Sequence, residues 1–276
     1  MLQRERQRVL QREPQRGASP RGIRALIYRA WVQLRAPLRF RVDFLTSVLG
    51  NVMVMTVGGT LLATMFQHIP SLGGWSGWDV LFLWAWLETV IALAHFSCAG
   101  LLVFNRRYLV NGELDRALLR PGDPLLGVLV DNLASEELPG LGVAGSVLAF
   151  AAWKAQLGWA ALAIVPGVLG SLAVFASILV VFASLGFHVR HSGTAVGVVF
   201  QAASYARYPF DLYPRALRVL LMVGMFGFLA YLPASTLLGH SSPTLGLLHL
   251  LAAAGAVVVA YGFFCFSLNK YSSSGT

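Results

Sequence analysis

The sequence predicts an all-α integral membrane protein: six transmembrane helices preceded by an N-terminal interfacial amphipathic helix. Three observations predict it. Of 276 residues, 57% are hydrophobic and only 12% are charged, against about 25% charged in soluble domains, and the mean hydropathy is +0.67. Apolar runs long enough to cross a bilayer, about 20 residues each, recur with short polar breaks between them. Arginine collects in alternate breaks, as it does in cytoplasmic loops.

The net charge of +9 would raise nucleic acid in a soluble chain. No aromatic-interleaved basic module accompanies it, so no nucleic-acid partner is expected. Cys98 and Cys265 each lie inside an apolar run and read as small core residues, without a disulfide or a metal site.

Residues 1–19 are rich in Arg and Gln, with Pro14 and Gly17, and read as a flexible basic tail. Residues 20–270 read as one transmembrane domain, and 271–276 as a polar tail. From Pro20, a suitable helix start, Ile23, Ile27, Trp31, Leu34 and Leu38 recur at helical spacing. Arg24, Arg35 and Arg39 fall on another face. That is a basic amphipathic helix over 20–41, its arginines directed at lipid phosphates. The first apolar run starts near Val42, too far along and too long for a signal peptide, and is expected to be an uncleaved span.

Span one covers about 42–66 and span two about 80–104. The turn between them, "QHIPSLGGWSGWD", places Trp75 and Trp78 at the interface. The most charged internal segment, 105–124, follows, then a short surface helix over 125–137. Span three covers 138–154 and span four 160–187. The run 194–206 is too short to span and suits a re-entrant or buried helix. Spans five and six cover 216–238 and 245–267. The lead, the 105–124 loop and the 188–218 region are basic, whereas 67–79 and 239–244 carry no Arg or Lys and 153–159 only Lys154. Six spans with both termini in the cytoplasm put every basic loop on one side.

Within the 105–124 loop, Asn111 signals a helix start. Glu113 and Asp115 fall in the first turn, Arg116 and Arg120 later, and Pro121 ends it. Leu114 completes this short helix. Leu118 and Leu119, exposed on a cytoplasmic helix, imply a docking partner, the membrane surface or a seat on the bundle itself. Glu88 is the clearest ionisable group inside a span, and His95 projects from the same face seven residues on. Such groups suit a substrate path or gate, or a structural bond to a neighbouring helix.

In "YARYPFDLYPRALR", Pro209 and Pro214 disfavour helix at Tyr208 and Tyr213. Asp211 can cap a turn. With Arg207, Arg215 and Arg218 beside it, the stretch reads as a rigid cytoplasmic elbow and a second contact for a partner. His188 and His191 lack a third ligand, and Gly193 with Gly197 is a single small-residue pair. Neither the G-x-x-x-x-G-K-[ST] loop nor a catalytic pattern occurs; the only lysines, Lys154 and Lys270, precede Ala and Tyr.

Three segments, "GELDRALLRPGDPLLGVLVDN", "YPFDLYPRALRVLL" and "YLPASTLLG", stand in this order. In them the chain resembles the ABC-2 type transporter permeases, above all the bacterial six-span subgroup with an "LLRP-x-x-PL" loop and a late "YP-x-x-x-x-P" motif. The resemblance covers about residues 20–270. The proline that often lies inside the fifth span is absent; Gly224, Met225, Phe226 and Gly227 stand there.

The resemblance implies the membrane subunit of an exporter in the bacterial cytoplasmic membrane. Its partners would be two ABC ATPase subunits, a second permease (the same or a similar chain) and lipid. ATP and Mg²⁺ would bind on the ATPases, with no cofactor, metal or catalytic residue on this chain. The segment from Glu113 to Arg120 would be the coupling helix, and Tyr208, Pro209, Asp211 and Pro214 a second cytoplasmic contact. Two rivals stand beside this reading: a membrane-embedded enzyme using Glu88 and His95, and a non-transporting scaffold or channel.

Overall fold

The computed structural model describes residues 20–35, 41–120, 122–189 and 195–271, nearly all helical. The expected basic tail, Leu38, Arg39, Pro121, Arg190, His191, Gly193 and residues 272–276 lie outside the described residues. So do the side chains of Ile23, Arg24, Leu34 and Arg35.

Helix α1 is Pro20–Arg35 and α2 is Arg41–His68. Ile27, Tyr28, Trp31 and Val32 of α1 are exposed, while Arg29 and Gln33 turn toward the bundle. Helix α3, Gly77–Leu102, opens on a capping box in which Ser76 and Asp79 satisfy each other's backbone. It continues as a π-helix over Phe104–Val110. Two short helices follow, α4 at Glu113–Leu118 and α5 at Pro124–Asp131, the second capped by Asp123. The α4 start differs from the expected one: Gly112, at φ 74°, is the N-cap, and Asn111 instead closes the π-helix, its backbone N–H donating to Arg106 O. Helix α6 is Leu138–Lys154, and α7 is Ile164–Ser184 with 3-10 turns at both ends.

Among the described residues, four helical stretches are long and apolar enough to cross a bilayer: Phe44–His68, Gly77–Val110, Gly158–Phe187 and Pro243–Leu268. The last contains α11, Pro243–Leu268, numbered after the three short helices α8 to α10 described below. Helix α6 is slightly shorter. It runs along α3 from the Ser47–Glu136 bond at one end to the Trp78–Phe150 ring contact at the other.

Apolar burial gives little drive between helices in lipid, so close fit decides the packing. Helix α3 lies at the centre, with Phe82, Leu83, Trp86, Leu87 and Val90 buried. Gly167 of α7 lies flat against the Trp86 ring, and the Trp86 indole donates to Ser171 Oγ at 3.2 Å.

The bundle has two distinct ends. At one, Phe104, Phe187 and Phe264 meet edge to face beside α4 and α5. At the other, Trp75 is buried against His240 and Tyr231.

The second half of the chain departs from the expected spans. Helix α8, Ala195–Ala203, with a 3-10 turn over Ser204–Arg207, climbs antiparallel along α3. Phe200 stacks on His95 and Arg207 reaches Glu88. The expected fifth span, 216–238, is instead two helices, α9 at Arg215–Val223 and α10 at Tyr231–Leu237. They meet at a 78° bend. The bend forms without the proline: Gly224 ends α9 and Met225 takes φ 63°, a left-handed conformation that stops the helix. Both ends of this pair lie at the Trp75 end. Phe210 stacks on Tyr231 at 5.0 Å, and His240 beyond α10 stacks on Trp75 at 4.2 Å.

The elbow also lies elsewhere than expected. Leu212 touches Gly73, so Tyr208–Pro214 sits with the 67–79 turn, at the opposite end from α4. Two of its arginines are matched locally, Arg207 by Glu88 and Arg218 by Asp211. Single cysteines at Asp211 and Leu119, in a chain lacking Cys98 and Cys265, are expected to react with a membrane-impermeant thiol reagent from opposite faces. Labelling from one face would contradict this arrangement.

Candidate functional site

Helix α4 is too short to hold itself in place, so its neighbours must brace it. Leu114 is fully buried and anchors one face. Arg107, from the π-helix, donates through Nε to Glu113 Oε2 at 2.7 Å and through Nη1 to Asn132 Oδ1 at 2.8 Å. Asn132 in turn donates to the Tyr108 hydroxyl and to Val128 O, both at 2.7 Å. Tyr271, just past α11, lies beside Asp115; burial and that carboxylate push its hydroxyl pKa up. Tyr261 of α11 donates to Asp123 Oδ2 at 2.6 Å.

A further residue, which the sequence reading gave no role although it lies in the "GELDRALLRPGDPLLGVLVDN" segment, gathers this end together. Asp131, at the end of α5, accepts from Arg29 Nε and from Arg120 Nη1, both at 2.6 Å, and Arg29 Nη2 also contacts it. Its backbone carbonyl accepts from Gln33 at 2.8 Å. The only sequence signal was a carboxylate at the end of an apolar helix, in a loop already rich in arginine.

The braced segment presents an apolar tip. Leu118 is 43% exposed and Leu119 86%. Arg116 and Arg120 flank it at the surface. The tip is thus an exposed leucine pair on a braced helix, rimmed by two arginines.

Glu88 and His95 do share one face of α3, and that face is covered by the 195–207 segment. Glu88 Oε1 lies 2.9 Å from Arg207 Nε, with the Glu88 side chain 12% exposed. The nitrogen is near but poorly aligned, so the contact is an ion pair more than a hydrogen bond. His95 stacks on Phe200 at 4.6 Å, and Phe200 meets Phe175 edge-on.

The elbow residues form a separate cluster at the other end. Asp211 accepts from the Tyr231 hydroxyl at 2.9 Å and pairs with Arg218 at 3.5 Å. Tyr213 donates to Tyr205 O at 2.8 Å. Pro209 is buried, whereas Tyr208 and Pro214 are exposed. "YPFDLYP" and "YLPAST" are thus joined through Asp211 and Tyr231. Elbow and α4 occupy opposite ends, so one partner cannot bind both. Among the described residues no group of three or more His, Cys, Asp or Glu is placed to hold a metal ion.

The family described as ABC-2 family transporter protein matches residues 52–275. No curated protein and no solved structure matches. With most of its length matched, the chain belongs to this family of transporter membrane components.

Proposed function

We propose that this ABC-2 family chain is the permease subunit of an ATP-driven exporter in a bacterial cytoplasmic membrane, and that Glu113–Arg120 is where its ATPase docks. The exposed, braced Leu118–Leu119 tip carries the reading. A docking helix must accept force without yielding, and α4 is tied to α3 by Arg107 and to α5 by Arg120. ATP and Mg²⁺ bind on the ATPase, so that closure of an ATPase pair pushes α4.

In this reading the chain crosses the membrane six times, through α2, α3, α6, α7, the 195–207 segment and α11. Both termini and α4 face the cytoplasm, and the re-entrant α9–α10 loop faces outward. Helix α1 lies in the interface, with Ile27 and Trp31 toward lipid. Helix α2 leaves Leu49, Met53, Val57 and Leu61 exposed. That row suits a second permease, and the substrate path would run between the two.

Leu119→Asp is expected to leave the chain in the membrane and to weaken ATPase co-purification. Burying an unpaired carboxylate at a docking hot spot costs about 2 kcal/mol, or ~30-fold in affinity. Reversing Asp115 and Arg116 together should act in the same direction. Undiminished ATPase binding and transport in both variants would show that α4 is not the contact.

A further inference from the structure

We infer that Asp131 is a positioning residue that splices α1 to the α4–α5 segment, so that the interfacial helix follows any displacement of α4. Its part in transport rests on the docking reading above; the splice itself rests on geometry within this chain.

One carboxylate receives two arginines that are 91 positions apart in sequence, Arg29 from α1 and Arg120 from just beyond α4. Arg120 closes the 119–131 stretch into a ring, joining its start to its end. Arg29 hooks α1 onto the same group. Bidentate pairing of guanidinium with carboxylate fixes orientation as well as distance. Gln33 and Ser135 add a second fastening one turn along α1, with Gln33 donating to Asp131 O and Ser135 Oγ donating to Gln33 O at 2.9 Å.

The three helices meet at a small, partly open groove lined by Leu26, Arg29, Ala117, Arg120, Asp123 and Asp131. Arg29 and Asp131 are mostly covered there, while Arg120 is half exposed. A junction fixed by a bidentate guanidinium and by the Gln33 and Ser135 bonds carries displacement from one helix to the other. Only residues 36–40 separate α1 from α2. Of the four membrane-length stretches, the one within α2 is the least buried by its neighbours. Within this chain it has the fewest neighbours to resist a shift. Displacement of α4 thus has two outlets, through Arg107 to α3 and through Asp131 and α1 to α2.

Without the carboxylate, Arg29 and Arg120 face each other as like charges. Spin labels at Ile27 and Leu119, both exposed, test this in the full chain, in lipid nanodiscs, lacking Cys98 and Cys265. The unaltered chain is expected to give one narrow distance. Asp131→Asn is expected to lose it, and so are Arg29→Gln and Arg120→Gln singly, because either arginine alone leaves the splice incomplete. Asp131→Glu keeps a carboxylate within reach and should retain it. A second label pair at Leu61 and Trp159, at the far end, should be unchanged in every variant, which separates the splice from general unfolding.

A narrow Ile27–Leu119 distance that survives all three charge-removing variants overturns the inference, whether or not an ATPase binds. Loss of that distance in all three supports the splice. It does so even if the unaltered chain proves to bind no ATPase, an outcome that would overturn the docking reading alone.

Discussion

Arg207→Ala is expected to remove much more folded protein from the membrane than Glu88→Gln, although the two residues form one pair. Glu88 is 12% exposed on its side chain and its nearest cation is Arg207, 2.9 Å away. Removing the arginine leaves a mostly buried carboxylate with only the Trp84 indole and His95 near it. Breaking a buried pair from one side costs about 3–5 kcal/mol. The lower figure applies because Arg207 is itself 39% exposed. Removing the charge from Glu88 is milder. Glutamine keeps the size and can still hydrogen-bond, and a partly exposed arginine can extend toward water.

The double variant Glu88→Gln with Arg207→Gln should recover most of what Arg207→Ala loses, since neither charge is then stranded. The folded fraction after detergent extraction, and its melting midpoint, measure this. Equal losses in Arg207→Ala and the double variant would mean that Arg207 acts through packing alone. Transport supplies a second readout. If Glu88→Gln folds normally but alters transport or substrate-stimulated ATP hydrolysis, the pair takes part in the path or gate. Equal loss of folding and transport in Glu88→Gln would make it purely structural.

The long apolar helices were legible because each must satisfy its own backbone in lipid and so repeats one simple pattern. Span three was expected at 138–154 and α6 occupies those residues. The late half was not legible by that rule. Ala195–Arg207 is too short to cross as a lone helix. Its extension from Tyr208 to Tyr213 is irregular backbone, tolerated where Gly73, Trp75 and Tyr231 shelter it. The 216–238 run has the composition of a span, and only Met225, in a conformation no hydropathy window senses, turns it back. The separation of 105–124 from the elbow, at opposite ends of the bundle, was not legible for a related reason. A count of arginines treats Arg207 and Arg218 as loop charges, yet each is held by a carboxylate within the fold. At the α4 end, the acid-first, base-last pattern of Glu113 to Arg120 was readable from spacing. Asp131 was not, because one of its partners lies 102 residues away on α1.

The same distinction between local pattern and distant partner makes Gly186 a sensitive small residue at the α4 end. Nothing in "ASLGFH" marks it, yet a methyl group there would collide with Asn105 Oδ1 and lie 2.7 Å from Leu109 Cδ1. Asn105 is buried at the start of the π-helix, and its Oδ1 has no hydrogen-bond partner. It has no room to retreat, because Phe104 and Tyr108 beside it are buried in the aromatic cluster with Phe187 and Phe264. Gly186→Ala is therefore expected to push the π-helix off α7. Overpacking of a tight core costs about 1–3 kcal/mol or more. The displacement would reach α4 directly, since Arg107 in the same π-helix holds Glu113. Asn105→Ala removes the obstructing oxygen and strands no partner, so alone it should be mild. Combined with Gly186→Ala it should restore stability, with a coupling in the range of about 0.5–3 kcal/mol expected of touching residues. Melting midpoints of the two single variants and the double give that coupling. A Gly186→Ala protein as stable as the parent, or a double variant no better than Gly186→Ala alone, would show that the two helices do not meet through this pair.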